Sequence, residues 1–553
     1  MELMFTPSSQ RNISSTSSFS VSSSFDSDDA TIYALSSAPG KAGIAVIRIS
    51  GSACLDVYKA LCPSARPLKP RYAAVRTLHD PASSQAGDAN ILDRAAVVLY
   101  FPGPKSVTGE DVLELHVHGG PATVKAVLSA IPASHPIPGA VRYAEPGEFT
   151  RRAFLNNRLD LAQVEALGDT LDAATEHQRR AAVRGSSGHL GRTYEGWRAM
   201  LLAARAEIEA LIDFSEDQHF DESPRELLSG VSLQVKRLQQ HVRAHEAAAD
   251  RSSLLRHGIR LALVGPANAG KSSLMNLVVG REASIVSDEA GTTRDVVEAS
   301  LDLRGYLCTF ADTAGFRQAP EPTTTMSPGS PASPLGAIEA EGIRRARQKA
   351  ADADVVIVLA SVERAQIGDG FYVSYDEETL RLAAQARERL IVLNKCDLVN
   401  DEAALTQLVD EFRTAAENVA GTSTHMPLMT ISCQTAETTP LAGNDPGGIH
   451  GLVDTIAAAF ANMTDLPPDE QDLLGVTARQ QQLLAQCRAH LEDFMVEAGE
   501  SEDGGVGGDS DVVLAAEHLR YAADCLARIT GRGEAGDIEE VLGVIFEKFC
   551  VGK

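Results

Sequence analysis

The feature that most constrains the fold of this chain is a phosphate-loop motif that follows an apolar strand. Residues 261–264 read LALV, and residues 265–272 read GPANAGKS. An apolar helix pattern comes next, so the order is the one that the GxxxxGK[ST] motif requires. Its glycines let backbone N–H groups converge on phosphates, and the start of the helix adds a favourable dipole. We expect Lys271 to neutralise the β and γ phosphates and Ser272 to bind Mg²⁺. The loop residues predicted to contact the nucleotide are Gly265, Asn268, Ala269, Gly270, Lys271, Ser272 and Ser273.

Three further motifs follow in the chain, and together they predict a domain that binds and hydrolyses GTP. The motif GTTRD at residues 291–295 offers a switch threonine, which we assign to Thr293, to complete the magnesium shell. The motif DTAG at 312–315 offers a second metal-linked carboxylate and a sensor of the γ-phosphate. The motif NKCD at 394–397 selects guanine, because Asp397 can accept from the N1–H and the amine that adenine lacks. The predicted contacts in the last two motifs are Asp312, Thr313, Ala314, Gly315, Asn394, Lys395 and Asp397.

Two positions near these motifs bear on base binding and catalysis. Ser432 and Cys433 stand where such domains usually carry a Ser-Ala loop against the base, and we expect little effect from the Cys because the contact is largely backbone. Phe316 follows DTAG where small regulatory GTPases have a Gln, so another group must orient the attacking water. Asn268 admits two interpretations: a residue chosen for turn geometry, or a ligand for a monovalent cation that replaces an arginine finger.

Length and composition limit the class of protein. A chain of 553 residues indicates two to four domains. Its formal net charge of −25 argues against broad, nonspecific binding to nucleic acid. The eight cysteines show no CxxC spacing, which is typical of reduced thiols in a cytosol-like or matrix-like compartment. No run of about eighteen apolar residues occurs, so we expect no membrane span.

Periodicity predicts a multidomain chain of α/β plus α class, in which a Ras-like P-loop GTPase domain is inserted into a helical domain. Strand candidates at 44–47, 95–101 and 112–117 indicate an α+β domain at the N-terminus. Low-complexity stretches at 319–336, 435–448 and 499–511 are predicted surface insertions. The predicted segments are 1–28 (a disordered extension or a presequence), 29–146 (the α+β domain), 147–255 (first helical part), 256–460 (GTPase domain) and 461–553 (second helical part).

With these motifs the chain resembles the MnmE/TrmE family of tRNA-modification GTPases, in its mitochondrial form. The resemblance extends from about residue 30 to the C-terminus. The terminal FCVGK is its most specific stretch, because the family ends in Cys-x-Gly-Lys. The stretches that carry the resemblance are APGKAGIAVIRISG (38–51), FPGPKSVTGEDVLELHVHGGP (101–121), PGEFTRRAFLNNRLDLAQVEAL (146–167), GPANAGKSSLMN (265–276), IVSDEAGTTRD (285–295), DTAGFR (312–317), NKCD (394–397) and FCVGK (549–553).

The resemblance implies a function beyond GTP hydrolysis. Members of this family work with a flavoprotein partner of the MnmG/GidA type, which carries FAD. Together they add an aminomethyl-type group at the five-position of the wobble uridine of certain tRNAs, with a tetrahydrofolate derivative as the one-carbon donor. The N-terminal domain of the family binds folate and forms a homodimer. By this resemblance an α+β folate-binding-like domain precedes the GTPase and helical domains.

The resemblance also assigns roles to individual residues of this chain. Folate contacts map onto Arg48, Glu114, Arg158 and Lys553, and Arg158 departs from the Lys usual in the family. A planar guanidinium therefore replaces a point donor there. Cys550 is implied in the modification chemistry, although a buried small side chain is the equal alternative. Glu339 aligns with the Glu that orients water. The residues implied to hold K⁺ are Asn268, Ser287, Glu289 (by its carbonyl) and Thr292.

Several alternatives stay open from the sequence. One is a ribosome-assembly GTPase of the Era or EngA type, and another is a GTP-switched scaffold without modification chemistry. The basic residues Arg151, Arg152, Arg179, Arg180 and Arg184 indicate either a solvated helix face or a contact with the tRNA backbone. The Ser-rich extension favours the mitochondrial matrix if it is a presequence, and the cytoplasm if it is not.

Overall fold

A computed structural model describes the folded parts of this chain, which divides into two compact units. The first unit comprises Met1–Leu159 and Leu542–Lys553, and the second comprises Asp160–Val541. The residues that the structure describes are 30–83, 90–213, 224–286, 300–310, 348, 350–365, 370–421, 427–439, 445–499, 511–532 and the single positions 545, 549 and 552.

The first unit is built on a six-stranded sheet with its main hydrophobic core on one face and a smaller core of Ile32, Ala34, Ala144 and Phe149 on the other. Its elements are β1 (Thr31–Leu35), β2 (Ile44–Ser50), α1 (Cys54–Leu61), β3 (Ala74–His79), β4 (Ile91–Phe101), β5 (Val112–His118), α2 (Pro121–Ala130), β6 (Val141–Tyr143) and α3 (Glu148–Leu155). The strand order is β3-β4-β5-β2-β1-β6, and the pairing is antiparallel except between β1 and β6. Alternate residues of β2, namely Ala45, Ile47 and Ile49, are buried in the core with α1 and α2. The predicted α+β class and its strands are thus confirmed.

The C-terminal tail belongs to this first unit. The hydroxyl of Ser36, just after β1, donates to the carbonyl of Gly552 at 2.8 Å. Gly552 has a φ of +98°, and a Cβ there would lie 2.2 Å from the carbonyl oxygen of Leu35. Only glycine fits this close approach in the left-handed region, which explains the Gly of the terminal Cys-x-Gly-Lys.

The second unit begins with helices. Asp160 caps the first of them with a reciprocal capping box to Gln163, two residues that lie three positions apart as such a box requires. These helices are α4 (Leu161–Asp172), α5 (Glu176–Gly185), α6 (His189–Asp213) and α7 (Pro224–His257).

The GTPase part of the second unit is an eight-stranded sheet with helices on both faces. Its elements are β7 (Ile259–Val264), α8 (Lys271–Leu277), β8 (Ala283–Ile285), β9 (Ser300–Leu303), β10 (Tyr306–Phe310), β11 (Val355–Arg364), β12 (Phe371–Ser374), α9 (Glu377–Ala383), β13 (Glu388–Asn394), α10 (Glu402–Ala420), β14 (Leu428–Thr430), α11 (Cys433–Thr438) and α12 (Ile449–Thr464). The order is β14-β13-β11-β7-β10-β9-β8, with β12 on β11. The strands β14, β13, β11, β7 and β10 run parallel, so their carboxyl ends share one edge, where ligands bind in such sheets.

Two helices after the GTPase part complete the helical domain. These are α13 (Ala478–Glu497) and α14 (Val512–Thr530). They share one core with α6 and α7, in which Tyr194, Val235, Leu491 and Leu526 are fully buried. Two segments separated by the GTPase sequence therefore form one hydrophobic core, which confirms the predicted insertion. Among the helices that the structure describes, none combines the length and apolar character that a membrane span needs.

Helix α5 contacts the GTPase sheet at the turn between β9 and β10. The ring of His177 stacks on that of Tyr306, with centroids 3.9 Å apart and planes 13° from parallel. The backbone N–H of His177 donates to the carbonyl of Gly305 at 3.1 Å. Burial, together with the nearby Arg180, lowers the pKa of His177, so the stacked ring is neutral at physiological pH.

Candidate functional site

The loop from β7 to α8 adopts a conformation that depends on its two outer glycines. Gly265 has a φ of +146°, and a Cβ there would lie 2.1 Å from the carbonyl oxygen of Leu359 on β11. Gly270 has a φ of +99°, and its Cβ would lie 2.2 Å from the amide nitrogen of Asn394. Asn268, at the exposed part of the loop, also has a positive φ of 64°. The loop thus packs tightly on two neighbouring strands while its tip faces solvent.

Lys271 and Ser272 occupy the first turn of α8, directly after the loop. The ammonium of Lys271 donates to the carbonyls of Gly265 at 2.8 Å and Pro266 at 2.7 Å. Its charge is therefore held against the loop. Ser272 is exposed at the helix start, and Ser273 is half-buried. Gly270 precedes α8 and has no side chain that could cap the helix. The first N–H groups of α8 therefore face the loop without a side-chain cap.

Asn394 joins the phosphate loop to the loop that follows β14. Its side-chain amide donates to the carbonyl of Ala269 at 2.9 Å, and its oxygen accepts from the N–H of Cys433 at 3.1 Å. Asn394 is only 2% exposed, so both bonds are shielded from water. The sequence predicted Asn394, Ala269 and Cys433 as separate contacts with the nucleotide, and the structure brings them together as one buried connection.

Asp397 and Ser432 lie side by side at the same edge of the sheet. The hydroxyl of Ser432 donates to one carboxylate oxygen of Asp397 at 2.6 Å. Ser432 also caps α11 by accepting from the N–H of Thr435 at 3.0 Å. Asp397 is exposed, which leaves its other oxygen open to a ligand. Cys433 packs its side chain in the core, and burial raises the pKa of its thiol to about 11.

Glu363 is a member of this site that sequence reasoning missed. Lys395 donates to Glu363 at 2.5 Å, and the Ser361 hydroxyl donates to the same oxygen at 3.0 Å. The bond from Lys395, the largest influence, lowers the pKa of Glu363 and outweighs burial. The ion pair fixes Lys395, whose backbone is left-handed with a φ of 60°. The register pairs Ser361 with Asn394, and this pairing of two strands, which no local sequence pattern shows, brings Glu363 to Lys395.

Part of the predicted site lies outside the residues that the structure describes. These predictions remain predictions, and so does the insertion at 319–336. The site residues concerned are Ser287, Glu289, Thr292, Thr293, Asp312, Thr313, Ala314, Gly315, Glu339, Cys550 and Lys553. The predicted insertions at 435–448 and 499–511 lie only partly outside the described residues, and the prediction is wrong for 435–438, which belong to α11 with Ala436 buried in the core.

The N-terminal unit pairs two of the predicted folate residues. Arg48 on β2 faces Glu114 on β5 in register, and its Nε donates to Glu114 at 3.0 Å. The other oxygen of Glu114 lies 3.4 Å from Nε2 of His116. All three side chains are half-buried, on the sheet face opposite α1 and α2. Charged and polar groups are therefore concentrated on part of the face opposite α1 and α2, whereas Phe149 of α3 packs on that face against Ile32 and Ala34.

Arg158 is placed differently. Its Nε donates to the carbonyl of Ser106 at 3.0 Å, within the loop that joins β4 to β5. The neighbouring Asn156 donates to the carbonyl of Thr108 at 2.8 Å. The described contacts thus tie Arg158 to this loop and not to the pair of Arg48 and Glu114.

The prediction of a solvent-facing basic stretch is wrong for Arg152. This side chain is 6% exposed and forms salt bridges with Glu110 at 3.1 Å and with Glu148 at 3.0 Å. A buried arginine with two carboxylates is structural, so it cannot contact a tRNA phosphate. Arg179 and Arg180 are exposed and both bond Glu176.

A cavity of about 360 Å³ lies on the helix side of the N-terminal sheet. It is lined by Leu35 and Ala45, by the loop at 38–42 and by Lys125 of α2. Arg48 and Glu114 point to the other face and do not line it. Gly552 contacts the backbone of Leu35, so the C-terminal tail reaches the residue that borders this cavity.

Comparisons with known proteins agree along nearly the whole chain. The family model described as GTP-binding protein TrmE N-terminus matches residues 31–158, and that described as MnmE helical domain matches residues 161–550. The tRNA modification GTPase MnmE of Parvibaculum lavamentivorans is 40% identical over 95% of this chain and 100% of its own. The human protein named 5-taurinomethyluridine-[tRNA] synthase subunit GTPB3, mitochondrial, is 39% identical over 95% and 93%. The tRNA modification GTPase MSS1, mitochondrial, of Saccharomyces cerevisiae is 33% identical over the same shares.

Proposed function

Because this chain belongs to the MnmE/TrmE family of tRNA modification GTPases, we propose that it uses potassium-stimulated GTP hydrolysis to modify the five-position of the wobble uridine. The proposal includes a flavoprotein partner and a folate one-carbon donor. The buried connection from Asn394 to Ala269 and Cys433 carries the GTP part of the argument, because it couples phosphate binding to guanine recognition.

The GTP step uses groups whose positions are described above. Lys271 would transfer its hydrogen bonds from the loop carbonyls to the β and γ phosphates. The exposed hydroxyl of Ser272 would hold Mg²⁺, which supplies positive charge to the phosphates. Asp397, oriented by Ser432, would accept from guanine, and Lys395, fixed by Glu363, would lie against the base. Thr293 and the DTAG motif lie outside the described residues, and they would complete the magnesium shell and contact the γ-phosphate.

Potassium enters the proposal through Asn268. Its left-handed backbone places a short amide side chain at the exposed tip of the phosphate loop. An amide oxygen there is a suitable ligand for a monovalent cation, which would supply the charge that an arginine finger supplies elsewhere. Ser287, Glu289 and Thr292 would complete the ligands, and Glu339 would orient water.

The modification chemistry is proposed for the first unit. The pairing of Arg48 with Glu114 gives a guanidinium and a carboxylate that can bond a pterin edge. Arg158, from its position on the loop, would add a further donor. The anchoring of Gly552 beside β1 supports a role of the tail, and of Cys550 and Lys553 next to it in sequence, at this unit. We also propose that two such units form a homodimer.

The names of two relatives support a proposal for the location of the protein. The human and yeast relatives are named as mitochondrial proteins. We therefore propose that this chain acts in the mitochondrial matrix, with its Ser-rich first 28 residues as a presequence. The match of the TrmE N-terminus to residues 31–158 favours tRNA modification over a ribosome-assembly role.

A replacement experiment tests the proposal against the scaffold alternative. Cells would carry the Lys271→Ala or the Glu114→Gln variant in place of the parent chain, and their tRNA nucleosides would be measured by mass spectrometry. We expect both variants to lose the wobble modification, while purified Glu114→Gln keeps its rate of GTP hydrolysis. The exposed His257→Gln is the control and should behave as the parent. Normal modification with Glu114→Gln would contradict the folate assignment.

A further inference from the structure

Three side chains with metal-ligating atoms converge on the helical domain, far in sequence from the GTP motifs. His490 and Asp493 lie three residues apart on α13, so they project from the same face of that helix. His518 comes from α14, which packs against α13 in the same core. One ligand atom of each residue lies within 4.8 Å of the other two.

The two imidazoles are incompletely bonded in this arrangement. Nδ1 of His490 and Nδ1 of His518 are buried, and within the described chain neither atom has a hydrogen-bond partner. The nearest carboxylate oxygen of Asp493 is 3.8 Å from Nδ1 of His518, which is too long for a hydrogen bond. Buried polar atoms are nearly always satisfied, so these two nitrogens are available to ligate a cation.

Aromatic rings lie close together at this cluster. The rings of His490 and His518 are 6.0 Å apart, and that of Tyr521 lies 5.3 Å from His490. The two imidazoles are thus held near each other by helices that share one core.

We propose that His490, Asp493 and His518 bind one divalent transition-metal ion, with Zn²⁺ as the best match. Two nitrogens and one oxygen suit Zn²⁺ and its neighbours, whereas Mg²⁺ and Ca²⁺ prefer oxygen ligands. Tetrahedral Zn²⁺ with bonds of about 2.0 Å separates its ligand atoms by about 3.3 Å. The three atoms must therefore approach by at most about 1.5 Å, and Asp493, which is 57% exposed, is free to rotate. Water would fill the fourth position.

Such an ion would fasten α13 to α14 near the ends that residues 498–511 connect. This connection contains one of the predicted insertions, and it consists mainly of glycine and acidic residues that cannot pack a core. A metal bond between the two helices would stabilise the hairpin next to a connection rich in glycine and acidic residues. The role is separate from the Mg²⁺ and K⁺ of the GTPase part.

Zinc titration of the full-length protein tests the site. Protein freed of metal by a chelator would be titrated with Zn²⁺ in excess Mg²⁺, by calorimetry and equilibrium dialysis. We expect the parent to bind one equivalent of Zn²⁺. The double variant His490→Gln/His518→Gln should lose this binding, or bind Zn²⁺ at least about tenfold more weakly. His257→Gln, which changes an exposed histidine of the same unit, should keep it. Addition of Zn²⁺ should raise the Tm of the parent and not of the double variant.

Two further measurements separate this site from thiols and from misfolding. Co²⁺ in place of Zn²⁺ should give an absorption spectrum without thiolate charge transfer, because cysteines take no part. Asp493→Asn changes an exposed side chain, so we expect it to fold as the parent does and to weaken binding without abolishing it. Circular dichroism and the rate of GTP hydrolysis would report folding of each variant. Equal Zn²⁺ binding by the parent and the double variant, or no binding by the parent, would overturn the proposal.

Discussion

The buried bridge made by Asn394 gives the sharpest prediction about nucleotide binding. In Asn394→Ala the carbonyl of Ala269 and the N–H of Cys433 both lose their partner in a buried region. Each net hydrogen bond is worth about 1 kcal/mol, and each orphaned buried group costs about 1–3 kcal/mol. We therefore expect a total loss of about 2–6 kcal/mol, divided between folding stability and nucleotide affinity. If half of it affects binding, the affinity for GDP falls by about 5- to 150-fold.

The assay is fluorescence titration with labelled GDP, together with urea unfolding of the same samples. Asn394→Asp is the informative partner variant, because a carboxylate can accept from Cys433 but cannot donate to Ala269. Its stability and its affinity for GDP should fall at least as far as those of Asn394→Ala, because its charge would face a carbonyl. Asn400→Ala, at an exposed position a few residues later, is the matched control. Unchanged GDP affinity and unchanged stability in Asn394→Ala would refute the bridge.

Three further predictions concern stability and the tail. Burial, followed by the charges of His241 and His189, lowers the pKa of His245 to about 4. As pH falls below about 6.5, the unfolded chain therefore binds a proton at this histidine before the folded chain does. The free energy of unfolding should drop by about 2 kcal/mol between pH 7 and pH 5. Urea unfolding should show this slope, and His245→Gln should remove it; an equal slope in that variant would contradict the assignment. His177→Ala should lower the free energy of unfolding by about 1 kcal/mol through the lost stack on Tyr306, and no change would show that the stack contributes nothing. Gly552→Ala should release the tail, because its Cβ would meet the Leu35 carbonyl; faster carboxypeptidase digestion than the parent would support this, and equal digestion would count against it.

The local parts of the fold could be predicted from the sequence, because their signals lie within a few residues. The alternation of β2 and the glycines of the phosphate loop are such signals, and the structure confirms the elements that they predict. The insertion of the GTPase part was also predictable, since helical periodicity stops and resumes on either side of it.

Contacts between distant residues could not be predicted in the same way. The charge of Arg152 suggested an exposed surface, but its side chain is buried against Glu110, which lies 42 residues away. Glu363 joins the proposed guanine site only because β11 pairs with β13 in one particular register. Gly552 meets Ser36 across 516 residues. In each case the partner is chosen by the packing of whole elements, which no local pattern contains.

The rate of GTP hydrolysis in potassium and in sodium buffer of equal ionic strength tests the central proposal most directly. We expect potassium to raise the rate of the parent by about tenfold or more, and Asn268→Ala to lose this increase while it still binds GDP. Asn400→Ala should respond as the parent does. Equal rates of the parent in the two salts would contradict the account, because the charge that Asn268 is proposed to hold would then come from another group.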